Sequence, residues 1–432
     1  MSVMPQLSMR AIREAMPEGG LFGGGSWRWS PEPLVLPKKL LRELEGLGHV
    51  LASFQRASDA IYRRSAKGKL PPWIAEWLDR GKPEWLLKAQ LSGEQAENFP
   101  RVIRPDLLLT DEGFSLTEID SVPGGIGVTA WLSAQYEKAG FSVLGGARGM
   151  IDGFSQVLPE KGVVMIADEA ADYRPEMQWL VEQCGGGRSV ERAEEMNADD
   201  RREIYRFFEC FDWANIPALP DFVARGGQIT APLKPHLEEK LWLALFHLPG
   251  LQGLWKKELR GAHRERLQQL IPQGWALRDV KLPPEAALPG LGVHSWQEVM
   301  EMSQKERRLV LKISGFDPTA WGSRGVYIGH DLPSTEWREH IQHALDDQLH
   351  SWVMQTFREA SLIAHPVYLA DGSVIKQPGR VRLCPYYFTD ASGLTKLHGC
   401  LATIVPADKK KIHGMSDGIL TVVSGHESLV TS

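Results

Sequence analysis

The chain has 432 residues, 43% hydrophobic and 24% charged, with a formal net charge of -5. Such a length exceeds one ordinary core of roughly 100–200 residues, and the composition is that of a soluble globular protein. The charge gives no case for nucleic acid as main partner, no stretch reaches the roughly 18 apolar residues of a membrane span, and Cys184, Cys210, Cys384 and Cys400 are too scattered for a metal cluster or disulfide framework.

From the N-terminus, residues 1 to about 28 show little periodicity and carry no basic segment followed by an apolar run, so cytoplasm is the expected compartment. Pro37–Leu47 and Val50–Ser65 are predicted helices, the second burying Leu51, Phe54 and Ile61; Trp73–Leu78 and Pro83–Leu91 predict shorter ones. Region 1–100 is therefore mostly helical, with no chemistry of its own to assign. The 15 tryptophans are expected to pack cores and domain interfaces.

The texture changes near residue 100. Val102–Leu109 and Phe114–Ile119 predict two strands, and Thr110-Asp111-Glu112-Gly113 between them predicts a hairpin turn. Past the break at Pro123-Gly124-Gly125-Ile126-Gly127, Val128–Ala139 predicts a helix, Val163–Ala167 a buried strand and Arg174–Cys184 a further helix. That alternation marks region 101–235 as an α/β stretch. Region 236–432 opens with a predicted helix over Leu237–Phe246. Strands Leu309–Ile313 and Val326–Ile328 flank a polar, glycine-containing loop, followed by helix Trp337–Leu349 and strands Trp352–Phe357, Arg380–Tyr387 and Cys400–Ile404. The fold class is α+β.

Three carboxylates stand out on the hairpin. Glu118 and Asp120 are two apart on one strand and so share a face, and Asp106 lies on the partner strand. Three such groups repel one another and lose hydration when enclosed; a hard divalent cation with oxygen ligands, Mg2+ above all, relieves both. The alternative is a wet sheet face with ordinary acidic residues. Arg104 beside them suits a phosphate or a reacting carboxylate. Lys312 ends an apolar strand just before Ser314-Gly315 and Gly322-Ser323-Arg324-Gly325, a placement from which a lysine reaches nucleotide phosphates while loop N–H groups cover them. This is neither a Walker A motif nor the kinase glycine-rich signature. The strand from Trp352 to Phe357 suits an adenine edge, with Met354 and Phe357 packing nearby, or is simply a core strand. Lys240, beside Glu238 and Glu239, is ambiguous between a ligand and a solvated helix face.

In this order the pieces resemble the circularly permuted ATP-grasp family, including the synthetase domain of glutathionylspermidine synthase. In that family the metal-binding hairpin precedes the nucleotide lid, and arginine-x-aspartate is followed by glutamate-x-asparagine. Here Arg104 and Asp106 match the first pair, Glu118 stands twelve residues beyond Asp106, and Asp120 replaces the asparagine with an extra negative charge. Lys240 and Lys312 resemble the two nucleotide lysines. Ser314, Gly315, Ser323, Arg324 and Gly325 resemble the lid, and Gln355 and Phe357 the adenine-proximal hinge.

The resemblance implies a circularly permuted ATP-grasp fold with a mostly helical N-terminal region. Asp106, Glu118 and Asp120 are its expected metal ligands, Lys240, Lys312, the lid residues, Gln355 and Phe357 its nucleotide contacts, and Arg104 its catalytic arginine. The implied activity is an ATP- and Mg2+-dependent ligase that activates a small-molecule or peptide carboxylate for attack by an amine or thiol. Tyr173, Arg174 and Glu176 are candidates for the acceptor rim. A regulatory or scaffolding ATP-binding protein and a small-molecule kinase are the alternatives. The sequence sets neither substrate nor oligomeric state.

Overall fold

The computed structural model describes residues 6–23, 27–93, 96–278, 288–320, 322, 324–409 and 417–425. They fall into two compact units, one of residues 1–52, 97–233 and 360–432, the other of residues 53–96 and 234–359. Helices and strands are mixed throughout, an α+β fold. No helix among the described residues is long and apolar enough to cross a membrane.

In the first unit the predicted hairpin forms over Val102–Thr110 and Gly113–Asp120, reversing at Asp111-Glu112 with Gly113 at φ +128°. It is the edge of an eight-stranded sheet that continues through Val374–Thr389, Thr395–Pro406 and Ile419–Gly425 to Arg28–Trp29, with Leu362–Tyr368 and Leu34–Leu36 paired alongside. Pairing of Val102–Thr110 with Val374–Thr389 lapses between Ile103 and Leu107, opposite the gap between Tyr387 and Leu383. Pro105 and Pro385 sit in those gaps and have no N–H to give a ladder. A second sheet is wholly parallel, in the order Ser189–Arg192, Val163–Ile166, Ile204–Phe207, Ile229–Thr230. Its two middle strands are buried at every residue, as strands covered on both faces must be. Helices Ile126–Lys138, Gly149–Val157 and Arg174–Cys184 pack together, and Trp131, Tyr136, Phe154, Tyr205 and Tyr386 share one core.

The two predicted N-terminal helices are one, Lys38–Ala66, running straight through Gly46-Leu47-Gly48. Gly48 is there for packing: a Cβ would lie 2.6 Å from the Tyr387 ring, whereas nothing lies within 4 Å of one at Gly46.

The second unit holds a four-stranded antiparallel sheet in the order Val326–Ile328, Leu309–Ile313, Trp352–Thr356, Gly274–Ala276. Leu309, Leu311, Ile313, Trp352, Met354 and Trp275 join a core with Trp296 and Val299 of helix Trp296–Glu301 and Trp337, Ile341 and Ala344 of helix Ser334–Asp346. Helix Leu241–Leu245 packs on Gly274–Ala276 and Trp352–Thr356. The expected helix over 237–246 is thus broken into a 3-10 turn, Pro235–Glu238, and this short helix. Phe54 stacks on Trp255 nearby with ring centroids 5.4 Å apart, and Phe246 meets both edge-on. Trp131, Trp255 and Trp337 are fully buried, as core packing of the tryptophans requires.

Candidate functional site

Two clusters, one in each unit, gather most of the residues singled out by the sequence. In the first unit the hairpin register sets Arg104 opposite Asp120 and Asp106 opposite Glu118, so all four share a face. Asp106 is buried and uses both oxygens: Oδ1 accepts from Arg104 Nε at 3.0 Å and Oδ2 from Arg382 Nη1 at 3.0 Å. Arg104 also reaches Asp120 Oδ2 with Nη2 at 3.1 Å and donates to the Gly124 carbonyl at 3.2 Å. Asp120 Oδ1 accepts from the Val122 N–H at 2.8 Å. Burial works against the Arg104 charge, but Asp106 and Asp120 outweigh it and hold its pKa above the ordinary value. Burial raises the Asp120 carboxyl, with Arg104 opposing and Glu118 adding to the rise.

Neither Arg382 nor Cys384 was expected at this site. Both lie on Val374–Thr389, Cys384 within the lapse left by the two prolines and Arg382 just outside it, paired with Leu108. Cys384 Sγ donates to Asp106 Oδ1 at 3.5 Å, and burial, then Asp106, push its thiol up to about 12, so it stays protonated.

An all-oxygen donor set suits Mg2+ in chemistry. Its placement does not: among the described residues no three carboxylate, imidazole or thiol side chains are grouped to hold a metal ion. The guanidinium groups of Arg104 and Arg382 stand where the expected cation would balance Asp106.

Glu176 is fully buried and is no acceptor rim. Its carboxylate accepts from the N–H groups of Gly125 at 2.7 Å and Val128 at 2.8 Å, capping helix Ile126–Lys138 from helix Arg174–Cys184. Burial raises its pKa to about 7 against those donors. Tyr173 packs on the glycine turn, where a Cβ at Gly124 would lie 2.1 Å from its ring.

In the second unit Lys312 pairs in register with Val353, and Gln355 with Val310, so the two polar residues share a sheet face. Lys312 Nζ donates to Gln355 Oε1 at 2.9 Å, both side chains buried. Gln355 Nε2 is buried with no hydrogen-bond partner. A donor stranded in this way costs about 1–3 kcal/mol, which an acceptor on a ligand recovers. Gly274 lies opposite Gln355, and a Cβ there would meet Gln355 Cγ at 3.2 Å and Ala244 Cα at 3.6 Å. Met354, expected beside an adenine, points the other way into the sheet's core, because adjacent strand residues alternate faces.

Lys240 is buried rather than solvated, and its Nζ donates to the Ala320 carbonyl of the loop at 3.1 Å. The Ser314 hydroxyl donates to Glu239 and accepts from the Leu241 N–H at 2.8 Å. A side chain at Gly315 would be crowded, with Glu238 O 3.0 Å from a Cβ position. Gly325 closes the loop, its N–H on Thr319 O at 2.7 Å and its carbonyl on Ile313 N at 3.1 Å. Arg324 is exposed, and Ser323 lies outside the described residues. Phe357 follows the strand's end, edge-on to His330 at 4.6 Å and under Arg308 at 5.3 Å. A cavity of 380 Å³ in the same unit is lined by Trp77, Trp275, Trp296 and Arg278 among others, but by none of Lys240, Lys312, Ser314 and Gln355.

No protein-family model matches this chain, and no curated protein matches it. Among solved structures, a glutathione synthetase-like effector from Globodera pallida in its apo form matches with a TM-score of 0.58 at 11% identity, over 98% of this chain and 96% of that one. The chain shares the overall fold of that glutathione synthetase-like effector. A structure named as a candidate gamma-glutamylcysteine synthetase from Methylobacillus flagellatus matches over 86% of this chain and 85% of that one at 11% identity, with a TM-score of 0.37, too low to carry an argument.

Proposed function

We propose that the chain is an ATP-dependent ligase that activates a small-molecule or peptide carboxylate for attack by an amine or a thiol. The Lys312–Gln355 pair carries the proposal. A buried ammonium sits beside a buried amide whose Nε2 has no partner, on a fold shared with a glutathione synthetase-like effector. The amide would donate to the adenine edge and the ammonium would neutralise phosphate charge. Lys240 would add a second positive charge by exchanging the Ala320 carbonyl for a phosphate oxygen. N–H groups of the 314–325 loop, that of Gly315 among them, would close over the phosphates and exclude water. Hairpin before loop is the order of the circularly permuted family, which supports the same assignment.

In the reaction a carboxylate oxygen of the substrate attacks the γ-phosphorus, and the bond to the β-phosphate oxygen breaks to release ADP. The amine or thiol then attacks the acyl carbon, the C–O bond to phosphate breaks, and the nucleophile's proton passes to solvent. Arg104, joined by Arg382, would hold the negative charge of the acyl phosphate and of the oxyanion that follows. Magnesium accompanying ATP would supply further neutralisation of phosphate charge.

A screen of acids paired with amines and thiols, following ADP release and product mass, tests it: an amide or thioester formed with stoichiometric ADP is expected. A stable phosphorylated product points instead to a kinase. The double arginine hold on Asp106 favours a second reading, an ATP-binding regulatory or scaffolding protein. Tight ATP binding with no substrate-dependent ADP release across the screen would select it.

A further inference from the structure

Residues 53–96 belong to the second unit and bring no group to the chemistry above, yet they bury a charge beside it. Lys82 lies between helices Trp73–Asp79 and Glu84–Leu91, its side chain 1% exposed. Its Nζ meets Glu239 Oε1 at 2.5 Å and the Leu78 carbonyl at 2.5 Å. Glu239, 3% exposed, spends its other oxygen on the Ser314 hydroxyl. Ser314 in turn holds the segment that carries Lys240: its carbonyl accepts from the Lys240 N–H at 3.0 Å and its hydroxyl from Leu241 N–H at 2.8 Å. The next loop residues close on the same pair. A Cβ at Gly315 would lie 3.2 Å from the Glu239 carboxyl, and the Phe316 ring, held at φ +52°, sits 5.1 Å from the Lys82 ammonium.

Arg80, two residues before Lys82, fixes a second point. Arg80 Nη1 donates to the Asp347 carbonyl at 3.1 Å; the Asp347 carboxylate contacts His350 Nδ1 at 3.1 Å, and His350 Nε2 contacts Asp317 of the loop at 3.3 Å. Asp317 Oδ1 then accepts from the Thr319 N–H at 2.7 Å. Removing an ammonium and a carboxylate from water costs several kcal/mol apiece, so a buried pair adds little net stability but tolerates few alternative positions.

We propose that Lys82 and Glu239 are a positioning pair that fixes the start of the 314–325 loop and the backbone of Lys240, making residues 53–96 the seat of that loop. Its consequence for nucleotide affinity rests on the ATP-binding proposal; its hold on the loop does not.

Two readouts on Lys82→Met/Glu239→Gln test it. This double variant removes both charges together and so avoids stranding either. Trypsin cleavage after the exposed Arg324 is expected roughly tenfold faster than in wild type, because cleavage follows the population of open loop. ATP affinity by calorimetry is expected to fall about tenfold, with the thermal midpoint little changed. Unchanged cleavage and affinity in the folded double variant overturn the proposal. Faster cleavage in a protein whose wild type binds no ATP upholds the seat and removes the nucleotide proposal alone. If the double variant does not fold, Ser314→Ala keeps the charge pair and reads the same two quantities; no change in either then overturns the proposal.

Discussion

Asp106 lies between two guanidinium groups in a buried place, so its charge has a structural task whatever ligand the cluster takes. Asp106→Asn leaves Arg104 and Arg382 short of one compensating charge and should cost about 3–5 kcal/mol, the scale of breaking a buried pair. Urea unfolding measures this; a loss below about 1 kcal/mol would show that the two arginines do not depend on it. Glu176 gives a pH signature. Its pKa is raised from 4.5 to about 7, so the folded state binds its proton more tightly than the unfolded one. Its contribution is fully present below pH 4.5 and is lost as pH rises through 7, on the order of 3 kcal/mol. Glu176→Gln should flatten the fall in unfolding free energy across that window, and an unaltered slope would assign it to other groups. At this scale spacing revealed Arg104, Asp106, Glu118 and Asp120, because alternation along a hairpin fixes which residues share a face. Arg382 was invisible, being 276 residues from Asp106 with no local pattern to mark it.

Glycine in the helix Lys38–Ala66 shows how packing overrides local propensity. Gly46 and Gly48 both weaken a helix by roughly 0.5–1 kcal/mol relative to alanine. Gly46→Ala meets no atom within 4 Å and should stabilise by about that amount. Gly48→Ala drives a methyl to 2.6 Å from the Tyr387 ring and should destabilise by roughly 1–3 kcal/mol, the scale of overpacking. Thermal melts of the two variants check the opposite signs; a gain at both positions would mean that Tyr387 simply moves aside. Elements with clean periodicity were legible: helix Arg174–Cys184 and strands Leu309–Ile313 and Val326–Ile328 form where expected. Strand Ile204–Phe207 was missed because Arg206 interrupts its apolar run. That arginine is tolerated inside because its guanidinium donates to the carbonyls of Ala231, Phe208 and Pro232. The expected helix over 237–246 fails for a related reason: the Lys240 and Leu241 N–H groups are taken by Ser314, so no helix runs unbroken through them.

Across the whole chain, each unit is assembled from separated stretches, which a contiguous scan of composition and periodicity cannot reveal. The eight-stranded sheet joins strands near residue 28 to strands near 420, and residues 53–96 join a unit whose other residues begin at 234. The likeness to the glutathione synthetase-like effector extends over 98% of this chain, so the type of fold is shared through both units even at 11% identity. Whether that fold handles ATP turns on the Lys312–Gln355 pair. Calorimetric titration of ATP with magnesium into wild type and Lys312→Met tests this most directly. Saturable binding to wild type, weakened at least tenfold, or about 1.4 kcal/mol, in the variant is the predicted result. No binding to folded wild type, or equal affinity in the two proteins, would contradict it.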